Sequence, residues 1–193
     1  RMSTDSISAD RTRSTVFLDR DGVINQNRPN YVCSTEELHI FPAALEALAR
    51  LAQSEYAVVI VTNQSAIGRG LVSAATVAQI NHYLLERIHT DGGRIDGLYL
   101  CPHTPGDACE CRKPRPGLLL RAASELHLDL ARSWLIGDSL TDLQAATNAG
   151  VRPILVATGR GQEASLHTTS AGLGHIPFLP DLSEAVTHLL ASA

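Results

Sequence analysis

The chain has 193 residues, 44% of them apolar, and a formal net charge of −4 at pH 7. That is enough apolar material for one sizeable core, since a single domain commonly holds ~100–200 residues. The acidic balance argues against a general nucleic-acid binder, and no apolar run approaches the ~20 residues that a membrane helix needs.

Residues 1–13 are polar, rich in Ser, Thr and Asp, and lack the apolar stretch of a secretory signal. They are expected to be a loosely ordered or tag-derived N-terminus outside the fold. Val16–Leu18 reads as a strand. Pro42–Gln53 reads as a helix with proline in its first turn and Ala/Leu spacings of three and four. Ala57–Val61 is an apolar, β-branched strand. Ser73–Thr90 reads as a helix started by Ser73, Gly97–Leu100 as a strand, and Pro116–His127 as a third helix. Trp134–Ile136 follows as a strand and Leu140–Ala149 as a helix closed by Gly150. Pro153–Ala157 is another strand, 159–180 reads as a long surface loop, and Asp181–Ala191 as a last amphipathic helix.

Strands alternating with helices imply an α/β fold, a Rossmann-like parallel sheet with helices on both faces. No stretch is long enough for a large cap domain; the interval Asn25–Phe41 is flap-sized. Ligands of such sheets bind beyond the carboxyl ends of the strands. Asp19, Thr62 and Asp138 each follow a predicted strand closely, so three distant polar residues are expected to meet at one rim.

Asp19-Arg20-Asp21-Gly22 ends the first strand. Two carboxylates two residues apart suit phosphoryl transfer: Asp19 as the nucleophile, Asp21 as the group that protonates the leaving oxygen and later deprotonates water. Hard oxygen ligands suit Mg²⁺, and Asp19, Asp21 and Asp138 are the expected metal residues. Thr62-Asn63-Gln64-Ser65 offers a hydroxyl and backbone N–H groups for phosphoryl oxygens. Arg69 can meet a second anionic group. Lys113 supplies a fixed cation for the transferring group, and Arg112 a planar fork for a distal part of the substrate. Ser139 and Asp142 have capping-box spacing, so Asp138 is expected to be the ligand and Asp142 to be mainly structural or to support the ligands from behind.

Three of the four cysteines, Cys101, Cys109 and Cys111, fall within eleven residues and bracket His103. That Cys₃His set suits tetrahedral, structural Zn²⁺, and free thiols fit a reducing cytosol. The site ends directly before Arg112-Lys113, so its expected use is to hold those two cations. Cys33 lies far away and reads as a lone thiol.

Asp19-x-Asp21, Thr62, Lys113 and Asp138 together resemble the haloacid dehalogenase-like phosphatases. The run Cys101-x-His103-x₅-Cys109-x-Cys111-Arg112-Lys113-Pro114 resembles one branch of that superfamily, which holds heptose-bisphosphate and histidinol-phosphate phosphatases. The resemblance spans about Thr15 to Thr158 and makes 14–193 one phosphatase domain. It implies an aspartyl-phosphate intermediate on Asp19, catalytic Mg²⁺ and structural Zn²⁺. It also implies substrate contacts from Arg20, Gly22, Asn25, Tyr31, Asn63, Gln64, Ser65, Arg69 and Arg112, with the flap holding Asn25 and Tyr31 over the sugar. The Thr62–Ser65 segment is similar to the heptose enzymes, whereas Ala66-Ile67-Gly68 and Ser139 depart from their usual pattern. A small phosphorylated sugar is the expected partner, with no nucleic acid, no membrane and a monomeric, cytoplasmic enzyme. The other readings are a histidinol-phosphate phosphatase and a phosphate-binding module without turnover.

Overall fold

The computed structural model describes residues 12–192; of the N-terminus expected outside the fold, 1–11 lie outside the described residues, whereas Arg13 belongs to the fold as the first residue of a strand paired with Leu128. Six strands form one parallel sheet: β1 (Arg13–Leu18), β2 (Ala57–Asn63), β3 (Gly97–Cys101), β4 (Leu128–Gly137), β5 (Arg152–Val156) and β6 (Phe178–Leu179). Their spatial order is β3-β2-β1-β4-β5-β6. The chain builds outward from β1 in one direction, then returns to its other side with β4. The order therefore reverses between β1 and β4, which opens a crevice at the carboxyl ends of these two strands.

β1 is buried on both faces, so its side chains divide by alternation. Val16 and Leu18 join one core with Val58, Ile60 and the inner faces of α1 (Pro42–Ala52), α3 (Ala74–Thr90) and α7 (Leu182–Ala191). Phe17 joins the opposite core with Val59, Val61 and Leu135, under α4 (Gly117–Leu126) and α5 (Leu140–Ala149). Ser73 caps α3 by accepting from the Thr76 N–H, and Gly150 ends α5 in a left-handed conformation at φ 72°.

Two regions differ from expectation. β4 begins six residues before Trp134. Its first half is polar, with Asp129, Arg132 and Ser133, so alternation does not reveal it. That half pairs with Arg13 and Ser14 across a register shift, where Ser133 Oγ accepts the Thr15 N–H at 2.9 Å. The stretch 159–180 is not a bare loop. It carries α6 (Gly161–Ser165) and β6, and Ala164 and Leu173 pack on Leu143 and Leu155 as a small third core. A four-residue turn of helix, α2 (Ser65–Gly68), also follows β2.

Candidate active site

Asp19 is the first residue after β1, Asp21 lies two further on, and Asp138 directly follows β4. With Lys113 and Asp142 they line a polar cleft of about 210 Å³ beyond the carboxyl ends of the strands. A larger hollow of about 700 Å³ lies at the opposite, N-terminal ends of the strands, among Arg13, Tyr56, Arg132 and Arg152. Those arginines are engaged by Asp96, Asp129 and the Trp134 ring, so that hollow offers no comparable set of reactive groups.

Lys113 is buried, and its Nζ lies 2.9 Å from Asp19 Oδ1 and 2.6 Å from Asp142 Oδ1. Burial works against its charge, but Asp142 and Asp19 outweigh that and lift its pKa above the ordinary lysine value. Asn63 braces the lysine backbone from both sides, accepting the Lys113 N–H and donating to its carbonyl, each at 3.2 Å.

Carboxylate oxygens of Asp19, Asp138 and Asp142 all lie within 4.8 Å of one another. Burial pushes Asp19 up to about 8, with Lys113 opposing and the neighbouring carboxylates adding to the rise. Asp138 is pushed up to about 6, by burial first and Asp142 second, against the Arg160 N–H and Lys113. A buried group of acids with one lysine lacks positive charge, and a hard divalent cation such as Mg²⁺ fits that donor set. Asp142 sits in this group as well as in its expected capping box. Its Oδ2 takes the Ser139 N–H at 3.1 Å and the Ser139 Oγ at 2.6 Å, while its other oxygen faces Lys113.

Two glycines allow this closeness. Gly22 (φ 90°) and Gly159 (φ 59°) lie against the Asp138 carboxylate, and a Cβ on either would run into it. Arg160, next along, donates its backbone N–H to Asp138 Oδ2 at 2.8 Å.

Asp21 is held differently from the other acids. Arg20 Nη2 reaches both its oxygens, at 3.0 and 2.9 Å; Asn25 Nδ2 and Gln64 Nε2 each donate at 2.8 Å. Burial pushes Asp21 up, but Arg20 and these hydrogen bonds outweigh it and hold it below the usual carboxylate range. The close Asp19–Asp138–Asp142 group does not include Asp21, which lines the same cleft. Arg20, Asn25 and Gln64 are all buried. They lie behind Asp21 and outside the cleft lining, where the sequence suggested substrate contacts. Gln64 also donates to Thr62 Oγ1 at 2.9 Å, and Thr62 too is buried behind the lining. Arg69 is exposed and lies outside the lining.

Tyr31, Asn63, Ser65 and Arg112 do line the cleft. Arg112 Nη1 donates to Ser65 Oγ at 2.6 Å and to the His103 carbonyl at 3.2 Å. Asn27, Arg28, Thr141 and Arg160 line it too. Sequence reasoning missed them because each is a single polar residue in a loop or first turn, with no spacing to mark it.

Cys101, His103, Cys109 and Cys111 converge beside the cleft. The Sγ atoms lie 3.1–3.6 Å apart, and His103 Nδ1 is 3.5 Å from Cys101 and 3.3 Å from Cys111. A tetrahedral Zn²⁺ with bonds of ~2.0–2.3 Å has edges of roughly 3.5–3.8 Å, so this donor set fits that ion. Without an ion the thiols are unequal. Burial pushes Cys101 up to about 12, whereas hydrogen bonds from its neighbours outweigh burial at Cys109 and bring it down to about 7.

A family model described as HAD-hydrolase-like matches residues 110–185. The D-glycero-beta-D-manno-heptose-1,7-bisphosphate 7-phosphatase of Bordetella bronchiseptica is 45% identical over 148 residues, 77% of this chain and 83% of that one. The chain belongs to the haloacid dehalogenase-like phosphatases. The same-named enzyme of Pseudomonas aeruginosa is 41% identical over 78% of this chain and 84% of its own. Among solved structures, the D,D-heptose 1,7-bisphosphate phosphatase of B. bronchiseptica, complexed with magnesium and phosphate, superposes with a TM-score of 0.86 at 40% identity. That match covers 93% of this chain and 99% of the other. The corresponding structure from Burkholderia thailandensis gives 0.70 at 34% identity, over 93% and 99%. As a haloacid dehalogenase-like phosphatase the chain is a phosphomonoesterase, which sets aside a binding module without turnover.

Proposed function

We propose that this phosphatase removes the 7-phosphate of D-glycero-D-manno-heptose 1,7-bisphosphate through a phosphoryl group carried on Asp19. The observation that carries the reading is the setting of Asp19. It stands at the switch point of the sheet, 2.9 Å from a buried lysine and within an acid group suited to Mg²⁺, in a chain 45% identical to an enzyme named for that reaction.

Asp19 and Asp138, with Asp142 beside them, would hold Mg²⁺, which supplies charge neutralisation for the transferring phosphoryl group. An oxygen of Asp19 attacks phosphorus as the bond to the sugar oxygen breaks. Asp21 gives that oxygen its proton. The anionic phosphoryl group beside Asp21 favours its protonated form against the pull of Arg20. In the second step water attacks phosphorus, Asp21 takes a proton from it, and the Asp19–phosphorus bond breaks to release inorganic phosphate. Lys113 keeps its charge throughout and faces both Asp19 and the departing group. Zn²⁺ on Cys101, His103, Cys109 and Cys111 would hold the loop that carries Arg112 and Lys113.

The cleft also carries Arg28, Arg112 and Arg160. These cations suit a substrate with a second phosphate. The clustering of three of its four cysteines with His103 as a metal set rather than as disulfides supports a cytoplasmic enzyme.

The test is phosphate release, with Mg²⁺, from the heptose bisphosphate and from histidinol phosphate in parallel. The expected result is a kcat/KM at least ~100-fold higher for the heptose, about 2.7 kcal/mol of transition-state discrimination. The reverse preference overturns the substrate assignment.

A further inference from the structure

We propose that Asn81 and Arg20 are positioning residues for Asp21, forming a relay from the inner face of α3 to the carboxylate that moves protons. This rests on the phosphatase reading above. The buried positions of α3 are Val77, Ile80, Asn81, Leu84 and Ile88, so Asn81 interrupts an otherwise apolar face. An amide buried there without a partner costs ~1–3 kcal/mol. Its Oδ1 instead accepts from Arg20 Nη1 at 2.8 Å. Arg20 is buried together with it. A buried guanidinium costs several kcal/mol unless paired, and apolar residues of similar volume commonly serve packing as well or better. Packing is therefore no reason for this pair.

The geometry supplies another. Arg20 Nη1 is held by Asn81, and Nη2 grips both oxygens of Asp21. Arg20 Nε has no hydrogen-bond partner. Among the described residues, Asn81 is thus the only side chain other than Asp21 itself that orients the guanidinium. Asn25 and Gln64 each donate to one Asp21 oxygen as well, and Asp21 itself lines the cleft. Release of Arg20 from α3 lets the Asp21 carboxylate shift, and a displacement of ~1 Å at a reacting group costs ~100-fold.

The experiment compares Asn81→Leu and Asn81→Asp with the wild-type enzyme on two Mg²⁺-dependent substrates. The heptose bisphosphate has an alkoxide leaving group that needs a proton; p-nitrophenyl phosphate has one that hardly does. For Asn81→Leu the expected loss in kcat/KM is ~10–100-fold on the sugar phosphate and under ~3-fold on the aryl ester, because only the first depends on the proton from Asp21. Asn81→Asp offers Arg20 the same acceptor and is expected to restore the sugar-phosphate rate to within about 5-fold. Equal losses on both esters, or no loss in a folded Asn81→Leu enzyme, overturn the proposal. Should Asn81→Leu not fold, Arg20→Lys is read in the same way, since a point charge cannot grip both partners. Failure of both variants to fold also overturns the proposal, because the pair is then structural. Inactivity of the wild-type enzyme on the heptose bisphosphate removes the proposed function, and the relay with it; failure of the relay alone leaves the wild type active.

Discussion

At the scale of single residues, the site runs on charge held out of water. Asp19→Asn removes the attacking oxygen while leaving shape intact, and turnover is expected to fall at least ~10³-fold with no loss in thermal unfolding midpoint. Activity within ~10-fold of wild type would show that Asp19 is not the nucleophile. A pH effect follows from the same burial. In the metal-free fold Asp19 is pushed up to about 8, far above its unfolded value near 3.8. Its contribution to metal-free stability is therefore complete only below the unfolded value and fades as pH rises towards 8. A bound divalent cation stabilises the ionised form. The rise in melting temperature on adding Mg²⁺ should thus grow from pH 6 to pH 8, measured by thermal shift at fixed ionic strength. A shift that shrinks over that range contradicts the reading. The roles of Asp19, Asp21, Lys113 and Asp138 could be argued from type and spacing alone. Arg20, Asn25 and Gln64 could not be placed that way, because a polar residue facing the substrate and one facing a catalytic carboxylate look identical in a sequence.

At the scale of elements, two devices hold the site. The Ser139–Asp142 capping box starts α5 directly after Asp138, and Asp142 turns its other oxygen to Lys113. Ser139→Ala should cost ~1 kcal/mol in urea unfolding, the usual worth of such a cap. A larger loss of activity than of stability is expected, because the freed Asp142 no longer fixes Lys113. The capping spacing was plain in the sequence; the ion pair with Lys113, 29 positions away, was not. The Cys/His loop is the second device. Purified protein should carry one zinc per chain by atomic absorption, and Cys109→Ser should lower both zinc content and activity by loosening Arg112 and Lys113. Full activity in zinc-free protein would refute that link. Short elements were the hardest to foresee. α2, α6 and β6 span four, five and two residues, too few for any periodicity to register.

At the scale of the molecule, the sheet order places the chemistry. β1 lies between β2 and β4, so Asp19 and Asp138 leave adjacent strand ends though 119 positions separate them in the chain. The helices of both faces clamp that sheet, and Leu48 of α1 is fully buried in one core. Leu48→Ala is expected to cost ~2–5 kcal/mol in chemical denaturation while leaving kcat of the folded fraction within ~2-fold. A stability loss under ~0.5 kcal/mol would mean that α1 is not part of the main core.

By itself the sequence determined the α/β class, the main helices and strands, the acid and lysine motifs and the zinc-type loop. Each is written in local order, as a period, a cap or a close ligand spacing, so neighbours along the chain suffice to read it. Only the tertiary structure decided that Asp142 stands among the acids, that Arg20 and Asn81 lie behind Asp21, and that Arg28 and Arg160 reach the cleft while Arg69 does not. Those facts depend on which side chains from remote segments meet across packed layers, and burial, charge pairing and hydrogen bonding between such segments leave no spacing in the chain.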